Sequence, residues 1–234
     1  MRGRMAVATG ALVLVAGAFA VVGVLSPAGP DSGDLPSATS VASTRTREAA
    51  PEVPVNQGWR VVLDPRARLS YEVPGDWVLA EDDQSLESSS GVRLGRLADY
   101  GTYLCQGAEY GRAFSGSGVA AGPPERAASE LAAAIAADQY SDASQTARVT
   151  VSRATPVVRD GARGVLVRAD AEAAESGDQC VGSRGTVTVV ALATPAGTGV
   201  VVVATDTEAG RARGPEPVAQ ADLKKITDSV RPRR

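Results

Sequence analysis

Residues 5–25 form a run of 21 residues without a charge, and few structures can accommodate it. As a helix rising about 1.5 Å per residue it reaches roughly 31 Å, the thickness of a bilayer's hydrocarbon core. Arg2 and Arg4 precede the run, and the next basic residue is Arg45. The positive-inside bias then holds the N-terminus in the cytoplasm and carries everything after residue 25 across the membrane. The sequence predicts a cytoplasmic tip and signal-anchor transmembrane helix over 1–25, which makes the chain a single-pass protein of the cytoplasmic membrane. A cleavable signal has a shorter apolar centre, about 7–15 residues, followed by a small-x-small site. Here Ala18-Phe19-Ala20 lies inside the run and Ser26-Pro27-Ala28 carries a proline, so the uncleaved anchor is the favoured reading. If the leader is cut, the remainder is secreted. No cysteine lies near residue 25, which excludes a lipoprotein processing site.

Residues 26–57 are punctuated by Pro27, Pro30, Pro36, Pro51 and Pro54 and filled with Ser and Thr. They show no apolar period, so they cannot pack a core, and a disordered stalk is expected. As a random coil it would span about 30 Å. Residues 58–234 are expected to form one extracytoplasmic α+β domain. Hydrophobic residues make up 44% of the chain but aromatics only 4%, so its core must be built mostly of Val, Ala and Leu. The bases are 22 Arg and 2 Lys. With the abundance of Ala, Gly and Val, this suggests a high-GC, actinobacterial genome.

Trp59–Leu63, Leu69–Val73, Trp77–Leu79 and Val92–Leu97 read as short strands, several with alternating polarity. Tyr100–Gln106 and Tyr110–Phe114 read as strand pieces around Cys105. Pro123–Gln139 is the clearest helix: two prolines suit its first turn, and Ala127, Ala128, Leu131, Ala132, Ile135 and Ala136 form one face. Four strands follow, Thr146–Ala154, Ala162–Ala169, Gly185–Ala193 and Gly199–Thr205, with Asp160-Gly161 as a hairpin turn between the first two. The unbroken Val200–Val203 should be covered on both faces. Pro215–Val230 reads as a closing helix stopped by Pro232. Short connections favour a mostly antiparallel sheet flanked by helices.

The two cysteines, Cys105 and Cys180, lie beyond the anchor. In an oxidising compartment an even count reads as a disulfide, here closing a loop of 75 residues. A redox-active pair would need a Cys-x-x-Cys motif or a cationic neighbour, and the spacing supplies neither. Histidine is absent, which removes Ser-His-Asp and Cys-His catalysis and every His-bearing metal site. A net charge of −3, with arginines scattered among acids, argues against a nucleic-acid partner.

Other motifs are weak. Gly116-Ser-Gly-Val-Ala-Ala-Gly122 loosely matches a dinucleotide fingerprint, but Pro123-Pro124 remove the amide donors that a pyrophosphate would need, so a plain Gly-rich loop is expected. Asp206-Thr-Glu-Ala-Gly210 lacks the bidentate glutamate of a calcium loop and reads as a turn; Glu81-Asp82-Asp83 reads as a solvated loop. No catalytic residue, cofactor or metal ligand is assigned.

Leu-Ser-Tyr-Glu-Val-Pro-Gly-Asp-Trp (69–77) resembles the strand-Pro-x-x-Trp opening of PsbP-like domains. The Val-rich last hairpin and the helix ending Ile226-Thr-Asp-Ser-Val-Arg-Pro232 resemble their closing segment, and Tyr103-Leu-Cys-Gln-Gly107 is similar to a stretch in anchored actinobacterial relatives. The resemblance covers roughly residues 58–232. It implies an antiparallel sheet sandwiched by helices, and binding, scaffold or assembly roles without a shared catalytic set.

The expected function is that of a non-enzymatic binding or interaction module of the cell envelope, held to the membrane through residues 5–25. Its partner would be an envelope protein, a polymer or a small ligand. An exposed apolar patch of several hundred Å² would favour a protein, and an apolar pocket of about 300–1,000 Å³ a small ligand. The alternatives are a histidine-free hydrolase, which needs two carboxyls about 5–9 Å apart in one cleft with one pKa raised, and a purely structural component.

Overall fold

The computed structural model describes residues 53–141, 145–173, 180, 182–208 and 214–233. The anchor over 1–25 and the stalk up to residue 52 lie outside the described residues. Among the described residues no helix is long and apolar enough to cross a membrane.

The chain enters on β1 (Trp59–Asp64) and returns on β2 (Leu69–Pro74), an antiparallel hairpin in which Val61 faces Glu72. Asp64 closes the turn, accepting the amides of Arg66 and Ala67 at 2.9 and 3.0 Å. The short strands β3 (Val78–Leu79) and β4 (Leu86–Glu87) both pair with β5 (Arg93–Tyr100). A small hairpin follows, β6 (Tyr103–Cys105) and β7 (Ala108–Tyr110), then β8 (Ala113–Ala120) and the helix α1 (Pro124–Tyr140). Next come β9 (Arg148–Val151), β10 (Thr155–Arg159), β11 (Ala162–Glu172), β12 (Arg184–Thr194) and β13 (Gly197–Asp206). The chain closes on α2 (Gln220–Ser229) and β14 (Arg231–Pro232), which pairs with the far edge of β2.

The large sheet runs β10-β11-β12-β13-β8-β5-β3, with β4 also on β5 and β9 also on β11. All pairings among the described residues are antiparallel, so the fold is α+β as expected. Alternation along the strands sends side chains to two separate cores. Val200 and Val202 join Leu131 and Ile135 of α1 on one face. Val201 and Val203 join Leu69, Tyr71, Ile226 and Val230 on the other. The all-apolar run Val200–Val203 is therefore covered on both sides. Each fully buried Leu or Ile of these layers contributes about 1.5–3 kcal/mol. The second covering layer is not helical alone: α2 shares it with the three-stranded sheet β1-β2-β14.

Three boundaries differ from the sequence reading. The expected Gly-rich loop at 116–122 begins inside β8, a central strand. A Cβ on Gly118 would stand 2.4 Å from the carbonyl oxygen of Arg93, and one on Gly116 2.8 Å from Leu97 Cδ2. Glycine there lets β5, which is bulged between Gly95 and Ala98, press against β8. The expected strand 146–154 shortens to β9, and a strand that was not expected, β10, follows it; together they line one edge of the long β11. Asp160-Gly161, both at positive φ, form the turn between β10 and β11. The closing helix starts at Gln220 rather than Pro215, because Pro217 disfavours helical backbone at Glu216.

Candidate functional site

On β11, Val167, Ala169 and Ala171 point into the α1 core, so Arg168, Asp170 and Glu172 point to the opposite face. The register sets β9 and β12 beside them: Arg148 and Arg184 flank Glu172, and Thr150 and Thr186 flank Asp170. Higher up this face, α2 and the small sheet cover the strands. Beyond the first turn of α2 the face is open. The result is a groove of about 560 Å³ lined by these residues together with Thr207 and Gln220.

The groove is held by ion pairs. Asp170 Oδ1 takes Arg168 Nε at 2.8 Å and the Thr186 hydroxyl at 2.8 Å, and Thr186 in turn accepts Arg168 Nη2 at 3.0 Å. Glu172 is shared between Arg184, 3.2 Å away, and Arg148, 3.6 Å away. Outside the lining, Glu208 approaches Arg184 at 3.6 Å and accepts the Ser183 hydroxyl at 2.9 Å. The volume is that of a ligand site, but the lining is polar and open where an apolar pocket was one of the expectations.

Behind the groove, in the α1 layer, lies a second polar cluster. Arg112 immediately precedes β8, and its side chain is wholly buried. Its Nη1 donates to Asp206 Oδ2 at 3.1 Å and its Nε to the Pro215 carbonyl at 2.9 Å. The Tyr140 hydroxyl donates to Asp206 Oδ1 at 2.9 Å. The Tyr103 ring lies 4.4 Å from the Arg112 guanidinium carbon and stacks on Tyr110. Cys105 and Cys180 are joined as a disulfide, tying the β6–β7 hairpin to the segment before β12. The Tyr103 hydroxyl donates to the Cys180 carbonyl. Burial raises the Asp206 carboxyl above its ordinary range, and the bonds from Tyr140 and Arg112 offset that only in part. Burial, then the charge of Asp206, raises the Tyr140 phenol. Asp99 is also raised, by burial and then by Glu109. Neither Asp99 nor Asp206 lines the groove.

The remaining sequence motifs fall as follows. Asp206 is spent on Arg112 and Tyr140, and residues 209–210 of that motif lie outside the described residues. Asp82 of the acidic triplet pairs with Arg96. Among the described residues no group of three or more Cys, Asp or Glu is placed to hold a metal. The most exposed large apolar side chains are Val53 and Val55 ahead of β1, Leu104 on β6, and Val78 on β3 and Val158 on β10. Sequence reasoning missed the groove, although a signal was present. Arg168-x-Asp170-x-Glu172, Arg148-x-Thr150 and Arg184-x-Thr186 each alternate, which puts their polar side chains on one strand face.

Residues 52–234 match the family described as Domain of unknown function (DUF8017). No curated protein matches the chain.

Proposed function

The chain belongs to that family, and we propose that it is a membrane-tethered, extracytoplasmic binding module of the cell envelope whose working surface is the groove between β9, β11 and β12. The observation that carries this reading is the open, ion-paired concavity itself, on the sheet face that α2 and the small sheet cover in part. The uncharged run 5–25 supports the tether, and the Cys105–Cys180 bridge supports an oxidising compartment. The sheet between helix-bearing layers supports a PsbP-like architecture, and the composition supports an actinobacterial source. The occupant is an envelope polymer, protein or small ligand.

The hydrolase alternative has one observation in its favour: Asp170 and Glu172 share a strand face, about 7 Å apart by strand geometry. That chemistry also wants a carboxyl in apolar surroundings as its acid, and the lining offers arginine, threonine and glutamine instead.

The test is a photo-crosslinking residue at Thr150 in wall-stripped cells, with Arg126 on the outer face of α1 as control. Crosslinks to an envelope component from Thr150 and not from Arg126 support the reading. Protection of the domain from added protease while a surface control is cut would overturn its compartment, and equal crosslinking from both positions would overturn the groove.

A further inference from the structure

The lining of the groove restricts what it can hold, given that the groove is a ligand site as read above. Apart from Ala171 and Gly185, it presents guanidinium, carboxylate, hydroxyl and amide groups. A ligand there gains little from apolar burial and must be held by charge-assisted hydrogen bonds. Donors exceed acceptors, because each of the three guanidiniums carries five N–H groups against the oxygens of Asp170 and Glu172. Geometry identifies the loosest cation. Arg168 is engaged by Asp170 and Thr186. Arg184 holds Glu172 at 3.2 Å and has Glu208 on its outer side. Arg148 has a side chain 82% exposed and reaches the same Glu172 only at 3.6 Å, beyond hydrogen-bond distance. Turning Arg148 away leaves Glu172 still paired with Arg184. Thr150 lies two residues along the same face of β9, so a hydroxyl donor stands beside that guanidinium.

We propose that the groove recognises an oxyanion group of its ligand, a carboxylate or a phosphate, through Arg148 and Thr150, with Arg184 keeping Glu172 out of the way. The protein as a whole is acidic, at −3, so bulk charge would not draw such a ligand. Recognition is local, and it weakens with salt.

The test is titration of the full chain in detergent micelles with three probes: oligogalacturonate for carboxylate, inorganic polyphosphate for phosphate, and maltoheptaose as a neutral oligomer. Binding is read by thermophoresis, and the Arg148 Nε–H resonance is followed in an arginine-labelled sample. Binding of either anion that shifts this resonance, weakens at least tenfold in Arg148→Glu and several-fold in Thr150→Val, and survives in Arg126→Ala supports the proposal. The anion that binds identifies the group. Arg148→Lys retains part of the affinity, and circular dichroism of each variant establishes that it folds. Maltoheptaose binding as tightly as the anions would overturn the oxyanion assignment while leaving the groove a ligand site. Absence of binding by both anions would overturn the assignment as well, and crosslinking from Thr150 then decides the fate of the groove separately.

Discussion

The phenolic oxygen of Tyr140 occupies the place where a side chain on Gly185 would begin: a Cβ there would stand 1.7 Å from Oη and 2.0 Å from Cζ. Tyr140 ends α1 and Gly185 lies near the start of β12, so this contact sets how closely helix and sheet approach at the end that carries the polar cluster. Gly185→Ala should destabilise the domain by about 3 kcal/mol, the upper range of overpacking, and should break the Tyr140–Asp206 bond. Chemical denaturation measures it. In a double-mutant cycle with Tyr140→Leu the two costs should fail to add by at least about 1 kcal/mol.

Arg112 and Asp206 are worth more as a pair than either is alone. Removing the guanidinium leaves a buried carboxylate with Tyr140 as its remaining side-chain donor. Arg112→Met should cost about 3–5 kcal/mol, and the double variant Arg112→Met/Asp206→Leu should recover most of the loss. Urea unfolding midpoints of the three proteins check this, and a double variant no more stable than Arg112→Met would refute it.

The bridge Cys105–Cys180 spans a sequence separation of 75. Its removal as Cys105→Ala/Cys180→Ala should cost up to about 4.5 kcal/mol in the chain-entropy model. The β6–β7 hairpin, which carries Tyr103 over Arg112, should loosen first. Unfolding with and without reductant measures the cost, and amide exchange at Leu104 and Glu109 locates the loosening.

Glu72 gives the domain an acid-sensitive contact. Burial by itself would raise this carboxyl, but hydrogen bonds from the Val55 and Asn56 amides and the Asn56 side chain, with help from Arg231, bring it below its ordinary value. A lowered folded pKa means that the ionised form stabilises the fold. That contribution is complete above the unfolded glutamate value of about 4.3 and is lost as pH falls from there through the folded value. Glu72→Gln should flatten the acid limb of the stability–pH curve. The protection of the Val55 and Asn56 amides, relative to their intrinsic exchange rates at each pH, should fall in the wild type over the same pH interval.

Elements whose local signals agree with their packing were legible in the sequence. The α1 face was readable because Ala127, Leu131 and Ile135 recur at helical spacing and all are buried. Val200–Val203 announced a doubly covered strand, and Asp160-Gly161 a hairpin. The failures have a common cause, which is that their determinants are distant in sequence. Gly116 and Gly118 look like loop residues until Arg93 and Leu97 are seen pressed against them. The break between β9 and β10 depends on β11 running on to Glu172, where the sequence suggested an end at Ala169. Arg112 gave no local sign of its role, since its hydrogen-bond partners lie at 206 and 215. The groove arginines showed only an alternation, which becomes a site once three strands stand in register.

The small sheet has a consequence for assembly. Its middle strand, β2, is flanked by β1 on one side and by the last strand of the chain on the other. The Glu72 amide donates to the Ser229 hydroxyl, 157 positions away. A ribosome delivers these partners at opposite ends of its task, so Val190 and Val201 stay bare on their α2 side until the final thirty or so residues emerge. A nascent chain of this kind offers holdase chaperones a greasy strip in the interval between delivery of β13 and delivery of α2, and loss of even the closing helix would leave part of that strip permanently on show.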